Sequence, residues 1–123
     1  MAGLAGREAN GARYTWLYPN MTFAAGNDSV WMYETHPVSA TRTRVVQTVC
    51  FPPETFDTDG FDATAQRYYD RMDLAIGEDI PVLESQQRGL ASPFAKPGRF
   101  SRLEPSVGSF AIWYAERMRA ATA

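Results

Sequence analysis

Apolar and polar positions recur with two different periods along this chain, and the change of period divides it into a strand half and a helix half. Residues 13–25 are rich in aromatic and β-branched side chains and end at Gly26-Asn27-Asp28, so they read as a strand followed by a turn. Residues 29–35 alternate, with Val30, Met32 and Glu34 on one side and Trp31, Tyr33 and Thr35 on the other. Residues 36–40, with Pro37, close that strand, and 41–51 form a third. There Thr43, Val45, Gln47 and Val49 stand opposite Arg44, Val46, Thr48 and Cys50. The short intervening loops predict an antiparallel meander. Pro52-Pro53 stops the sheet, and an acidic linker follows over 54–60.

From Phe61 the period is helical. Phe61, Ala65 and Tyr68 or Tyr69 supply an apolar face over 61–72, and Met72, Ala75, Ile76, Leu83 and Leu90 continue it at steps of three, four and seven. Asp79 falls on the same face, between Ile76 and Leu83. An ionised carboxylate turned towards a core costs on the order of several kcal/mol unless something positive meets it. Three readings follow: Asp79 is paired, it holds a metal, or the helix is interrupted there. Pro81 supports interruption, because it has no N–H for the Gly77 carbonyl and pushes Ile80 away from helical dihedrals. Asp79 would then be the N-cap of a second helix running from Ile80 to Arg88, with Gly89 as its C-terminal cap. Residues 92–104 form a loop rich in Pro, Gly and Arg. A last helix over about 105–120 starts with Pro105 in its first turn, carries the stripe Val107, Phe110, Ala111, Tyr114 and Met118, and ends with Arg117 and Arg119 suited to its dipole. Strands followed by helices make the class α+β.

Size and charge narrow the picture. The 123 residues suffice for one domain with a core. Residues 1–12, with Gly3, Gly6 and Gly11 and no apolar period, read as a flexible leader ahead of a domain over 13–123. A net charge of −2 and the lack of a basic run argue against a nucleic-acid partner. The one cysteine, Cys50, rules out an internal disulfide and, from its place in an apolar strand, reads as a buried structural thiol. No apolar run is long enough to span a bilayer and the N-terminus lacks the apolar stretch of a signal peptide, so a cytoplasmic protein with no membrane partner is expected.

Gly77-Glu78-Asp79, then Glu84-Ser85-Gln86-Gln87-Arg88-Gly89-Leu90-Ala91-Ser92, then Lys96-Pro97-Gly98-Arg99-Phe100-Ser101-Arg102-Leu103-Glu104 stand in an order and spacing that resemble one family. It is the C-terminal part of the catalytic domain of Rieske-type ring-hydroxylating oxygenase large (alpha) subunits. Leu17-Tyr18-Pro19-Asn20-Met21 and Arg42-Thr43-Arg44-Val45 are similar to that family's sheet strands, so the resemblance runs from about Tyr14 to Met118. It implies a helix-grip fold, of the START or Bet v 1 kind, in which a larger antiparallel sheet wraps a long helix; this chain supplies its last strands and helices. It also implies that Asp79 is the carboxylate of a two-histidine, one-carboxylate Fe(II) site, the imidazoles coming from an upstream segment and electrons from a 2Fe–2S cluster in an upstream Rieske domain. A reductase or ferredoxin and an oligomer of large subunits are the implied partners. The implied reaction is hydroxylation with O2 of an organic substrate, aromatic or quaternary ammonium.

The other candidates have bland readings beside the functional ones. His36 precedes Pro37 at a strand end, where a turn or edge histidine is expected rather than a ligand. A facial iron site needs two imidazoles, so this chain alone is not expected to turn over. Glu78 and Asp79 point about 100° apart on a helix and do not form an acid/base pair. Gln86, seven residues past Asp79 on the same face, is a candidate ligand contact or a packed amide. Arg88, Arg99 and Arg102 are candidates for a carboxylate or a subunit contact, and Trp16, Trp31 and Tyr33 for a pocket wall or plain core. Two alternatives to the oxygenase stand: a non-catalytic helix-grip module that binds a hydrophobic ligand without metal, and an accessory piece that completes another chain's sheet.

Overall fold

A computed structural model of the chain describes residues 4–122. Four strands, β1 (Arg13–Leu17), β2 (Met21–Ala25), β3 (Val30–Ser39) and β4 (Arg42–Cys50), form one antiparallel sheet in the order β1-β2-β3-β4. Two helices follow, α1 (Phe61–Leu90) and α2 (Pro105–Thr122). The α+β class is as the sequence predicts.

The stretch over 13–25 is two strands rather than one. Residues 18–20 turn the chain, and Leu17 pairs with Met21. Pro19 and Asn20 are ordinary turn formers whose signal the aromatic neighbours hide. Asn20 also docks this turn: its carbonyl accepts from the Thr35 N–H at 2.9 Å, and its Nδ2 donates to the Thr35 carbonyl at 3.1 Å. Strand β3 runs through Pro37 to Ser39 instead of ending before it, with a register shift between Pro37 and Ser39. Pro37 is tolerated because β2 reaches only as far as Glu34, so no strand waits for the missing N–H. In the expected leader, the first three residues lie outside the described ones. Gly6–Ala9 forms a 3-10 turn whose Ala9 carbonyl accepts from Asn27 Nδ2 at 2.6 Å.

Strand register decides which side chains face the helices. Tyr14, Ala24, Trp31 and Val49 form one row of the inner face, and Trp16, Thr22, Tyr33 and Gln47 the next. Helix α1 lies across the β3–β4 side of this face: Tyr68 meets Phe51 edge to face at 5.1 Å and Trp31 at 6.3 Å, and Phe61 meets Phe51 at 5.3 Å. Of the two candidates Tyr68 and Tyr69, it is Tyr68 that turns to the sheet; Tyr69 is exposed. Helix α2 covers the β1 edge, with Phe110 stacked on Trp16 at 4.4 Å and Trp113 5.4 Å from Tyr18. The Tyr18 hydroxyl donates to the Ser106 carbonyl at 3.2 Å. Each aromatic pair contributes about 1 kcal/mol beyond its buried area.

Helix α1 is continuous through Pro81. The interruption expected there does not occur, so Asp79 is not an N-cap, and the helix ends on Ala91 rather than Gly89. One missing hydrogen bond costs less than giving up a 30-residue helix that is anchored at its start. It begins at Gly60, whose φ of 75° is a left-handed conformation that glycine adopts without a Cβ clash. The core is the strip where α1 meets the sheet, with Ala65 at 4% and Met72 at 2% exposure. Past Ile76 the apolar face of α1 is uncovered: Leu83 is 53% and Leu90 67% exposed. The stripe foreseen on α2 is likewise open at Val107, Tyr114 and Met118, while Phe110 and the half-buried Trp113 make the contacts. Cys50, expected to be buried, points to the outer face of β4 and is exposed.

Met72→Ala is expected to cost about 3 kcal/mol, because the sulfur and methylenes leave a cavity in the α1–sheet seam. Leu83→Ala, on the uncovered face of the same helix, should cost less than about 0.5 kcal/mol. Urea unfolding midpoints of the two variants test this contrast.

Candidate functional site

Asp79 sits on the sheet-facing side of α1, one turn past the half-buried Ala75 and Ile76. Its carboxylate is exposed and has no hydrogen bond or ion pair among the described residues. An arginine partner, one of the three readings of this residue, is therefore not present there. Its charge does reach β3. Burial first, and the negative charge of Asp79 second, push the Tyr33 phenol above its usual range. Across the ladder from Tyr33, Gln47 donates Nε2 to Asp73 Oδ1 at 3.2 Å. Gln47 Oε1 is buried with no hydrogen-bond partner among the described residues, an acceptor open to a water or ligand donor.

Strand parity separates His36 from Asp79. Trp31 and Tyr33 face α1, so Glu34 and His36, of the opposite parity, face away from it together, and His36 Nε2 lies 4.0 Å from Glu34 Oε2 on that outer face. Among the described residues no three His, Cys, Asp or Glu side chains come together in a way that would hold a metal ion. Glu78 is exposed, as are Gln86, Arg88, Arg99 and Arg102.

A second cluster is one the sequence reading did not single out. The Tyr68 hydroxyl donates a short hydrogen bond to Asp28 Oδ2, and Ser29 Oγ donates to Asp28 Oδ1 at 3.1 Å. Ser29 is 3% exposed. The Tyr68 hydrogen bond, more than any other influence, holds the Asp28 carboxyl below its usual range, and the same bond pushes the Tyr68 phenol up. Beside this pair Arg71 lies over the Trp31 ring, 5.4 Å from its centre. Arg67 and Arg71, four residues apart and so on one side of α1, both line a cleft of about 420 Å³ with Tyr14, Trp31 and Asp28. The i, i+4 arginines were the available signal. What they face depends on the Gly26–Ser29 turn, closed by Gly26 N–H to the Ser29 carbonyl at 2.9 Å, and that contact is not local to the helix.

A four-stranded meander with both helices on one face defines an α+β protein of the sheet-over-helix kind. The chain matches the family described as ring hydroxylating alpha subunit (catalytic domain) over residues 2–120, and it belongs to that family. The match starts ahead of Tyr14, where the resemblance in the sequence begins, and takes in nearly all of residues 1–12. It places the chain in an oxygenase setting, among oxidoreductases that hydroxylate rings. No curated protein and no solved structure matches the chain.

Tyr68→Phe is expected to lower stability near neutral pH by about 1 kcal/mol, the worth of a partly solvated hydrogen bond to a charged group. Asp28 has a depressed folded pKa, so its contribution is present above the usual 3.8 and is lost as pH falls through the folded value. Tyr68 has a raised one, so its contribution is present below the usual 10.0 and is lost as pH rises through the folded value. The gap between wild type and Tyr68→Phe should therefore be a plateau that closes at both ends. Thermal melts across the pH range measure it.

Proposed function

We propose that this chain is the part of a Rieske-type oxygenase large subunit that brings the carboxylate ligand, Asp79, to a mononuclear Fe(II) site. The observation that carries the reading is a carboxylate on the sheet-facing side of the long helix, without a hydrogen bond or ion pair among the described residues, inside the span that matches the family. The chain's own residues do not fit the iron by themselves. Asp79 has no imidazole beside it, and His36 lies on the other face of the sheet. The two histidines are assigned to another segment, and a 2Fe–2S cluster to a Rieske domain that delivers electrons.

Bound iron supplies the reductive activation of O2 by which an organic substrate, aromatic or quaternary ammonium, is hydroxylated. The part of this chain is geometric and electrostatic. Helix α1 fixes the carboxylate at one height above the inner face, and the charge of Asp79 lowers the net charge of a dication. Tyr33, whose phenol is pushed above its usual range by burial and then by the charge of Asp79, stands on the inner face within reach of that charge. Gln86, exposed two turns further along α1, is a candidate contact for a ligand. In the assembled protein a reductase or ferredoxin and further large subunits are the partners.

Co-expression of this chain with the histidine-bearing segment of a family large subunit, followed by iron analysis of the purified complex, tests the assignment. Wild-type complex is expected to retain Fe(II), and Asp79→Ala to lose at least about tenfold in affinity for it, as loss of one of three protein ligands should. Unchanged iron affinity in Asp79→Ala would remove Asp79 as a ligand.

A further inference from the structure

The cleft at the start of α1 is open to solvent, and it brings charged and aromatic side chains from the helix, the sheet and the β2–β3 turn together. Its volume of about 420 Å³ falls in the range that takes a small organic ligand. Arg67 and Arg71 project into it from successive turns. Trp31 stands on the inner face of the sheet, and Tyr14, on the neighbouring edge, is 85% exposed. The cleft thus offers aromatic rings on its walls and two guanidinium groups.

The charges decide what it takes. Neither guanidinium is in an ion pair among the described residues: Arg67 donates to Thr64 Oγ1 at 3.1 Å, and Arg71 rests on Trp31. Against them stands one carboxylate, Asp28, already engaged by the Tyr68 and Ser29 hydroxyls. The net charge of the lining is positive, which favours an anion. A cation is disfavoured twice over, by the excess charge and because Arg71 already covers the ring face of Trp31 that a cation would use. Guanidinium groups pair with planar oxyanions through parallel N–H donors, and exposed aromatic rings gain by covering a flat apolar body.

We propose that this cleft binds a small planar aromatic anion, its oxyanion head between Arg67 and Arg71 and its ring against the exposed face of Tyr14. Arg71 lies about 12 Å along α1 from Asp79, by the rise over a step of eight residues, and the site needs no metal. It stands independently of the iron reading.

Benzoate is the probe, titrated into the full chain and followed by calorimetry and by quenching of Trp31 fluorescence, with Trp31→Phe as the assignment control. Benzyl alcohol, acetate and benzyltrimethylammonium are the comparison ligands. Benzoate is expected to bind at least tenfold more tightly than any of the three. Arg71→Gln and Arg67→Gln should each weaken it at least fivefold. Both positions are exposed, so unchanged circular dichroism will show that the variants fold. Asp79→Ala should leave benzoate affinity as it was, whatever it does to iron. No benzoate binding at millimolar concentration, equal binding by benzyltrimethylammonium, or affinity unaffected by both arginine variants would each overturn the proposal.

Discussion

Trp31, Phe51 and Tyr68 meet at near right angles where α1 crosses β3 and β4, and this aromatic junction sets the position of everything else on the helix. With Ala65 and Met72 sealed about one turn to either side of Tyr68, the rotation of α1 about its axis is fixed. A helix fixed in rotation carries each later residue to a determined side at about 100° per step. Asp79 faces Tyr33 for this reason, and Arg67 and Arg71 open into the cleft beside the β2–β3 turn for the same one.

The second helix works by the same physics on the other edge. Phe110 and Trp113 cover Trp16 and Tyr18, while the Tyr18 hydroxyl holds the backbone at Ser106. Both helices thus lie on one face, and the opposite face, with Met32, Glu34, His36 and Cys50, carries neither. The division explains why the chain's only histidine is not beside its candidate carboxylate. A two-residue period sends residues of opposite parity to opposite faces, so His36 cannot reach across the sheet to a group on the helix side.

Membership of the ring-hydroxylating alpha-subunit family gives this geometry a setting. Within it, Asp79 stands exposed on the long helix α1 with no hydrogen bond or ion pair among the described residues, so its charge stays solvated and carries little burial cost. The half of α1 beyond Ile76 has its apolar side uncovered, and that half carries Asp79 and Gln86. No helix among the described residues is long and apolar enough to cross a membrane.

Local pattern by itself determined the class, the faces of β3 and β4, the start of α1 at Phe61 and Pro105 at the head of α2, because side-chain period is a property of backbone geometry and needs no partner. The order of the Gly77–Asp79, Glu84–Ser92 and Lys96–Glu104 segments likewise carried the family. Only the tertiary structure decided that residues 18–20 break the first strand, that α1 runs through Pro81, that Cys50 is exposed, and that Asp28 meets Tyr68 forty residues away. Each of these depends on a contact between segments distant in sequence: Asn20 with Thr35, the anchored first half of α1, the uncovered outer face, and the β2–β3 turn against α1. Propensity can propose such outcomes, but the energy that chooses among them comes from packing.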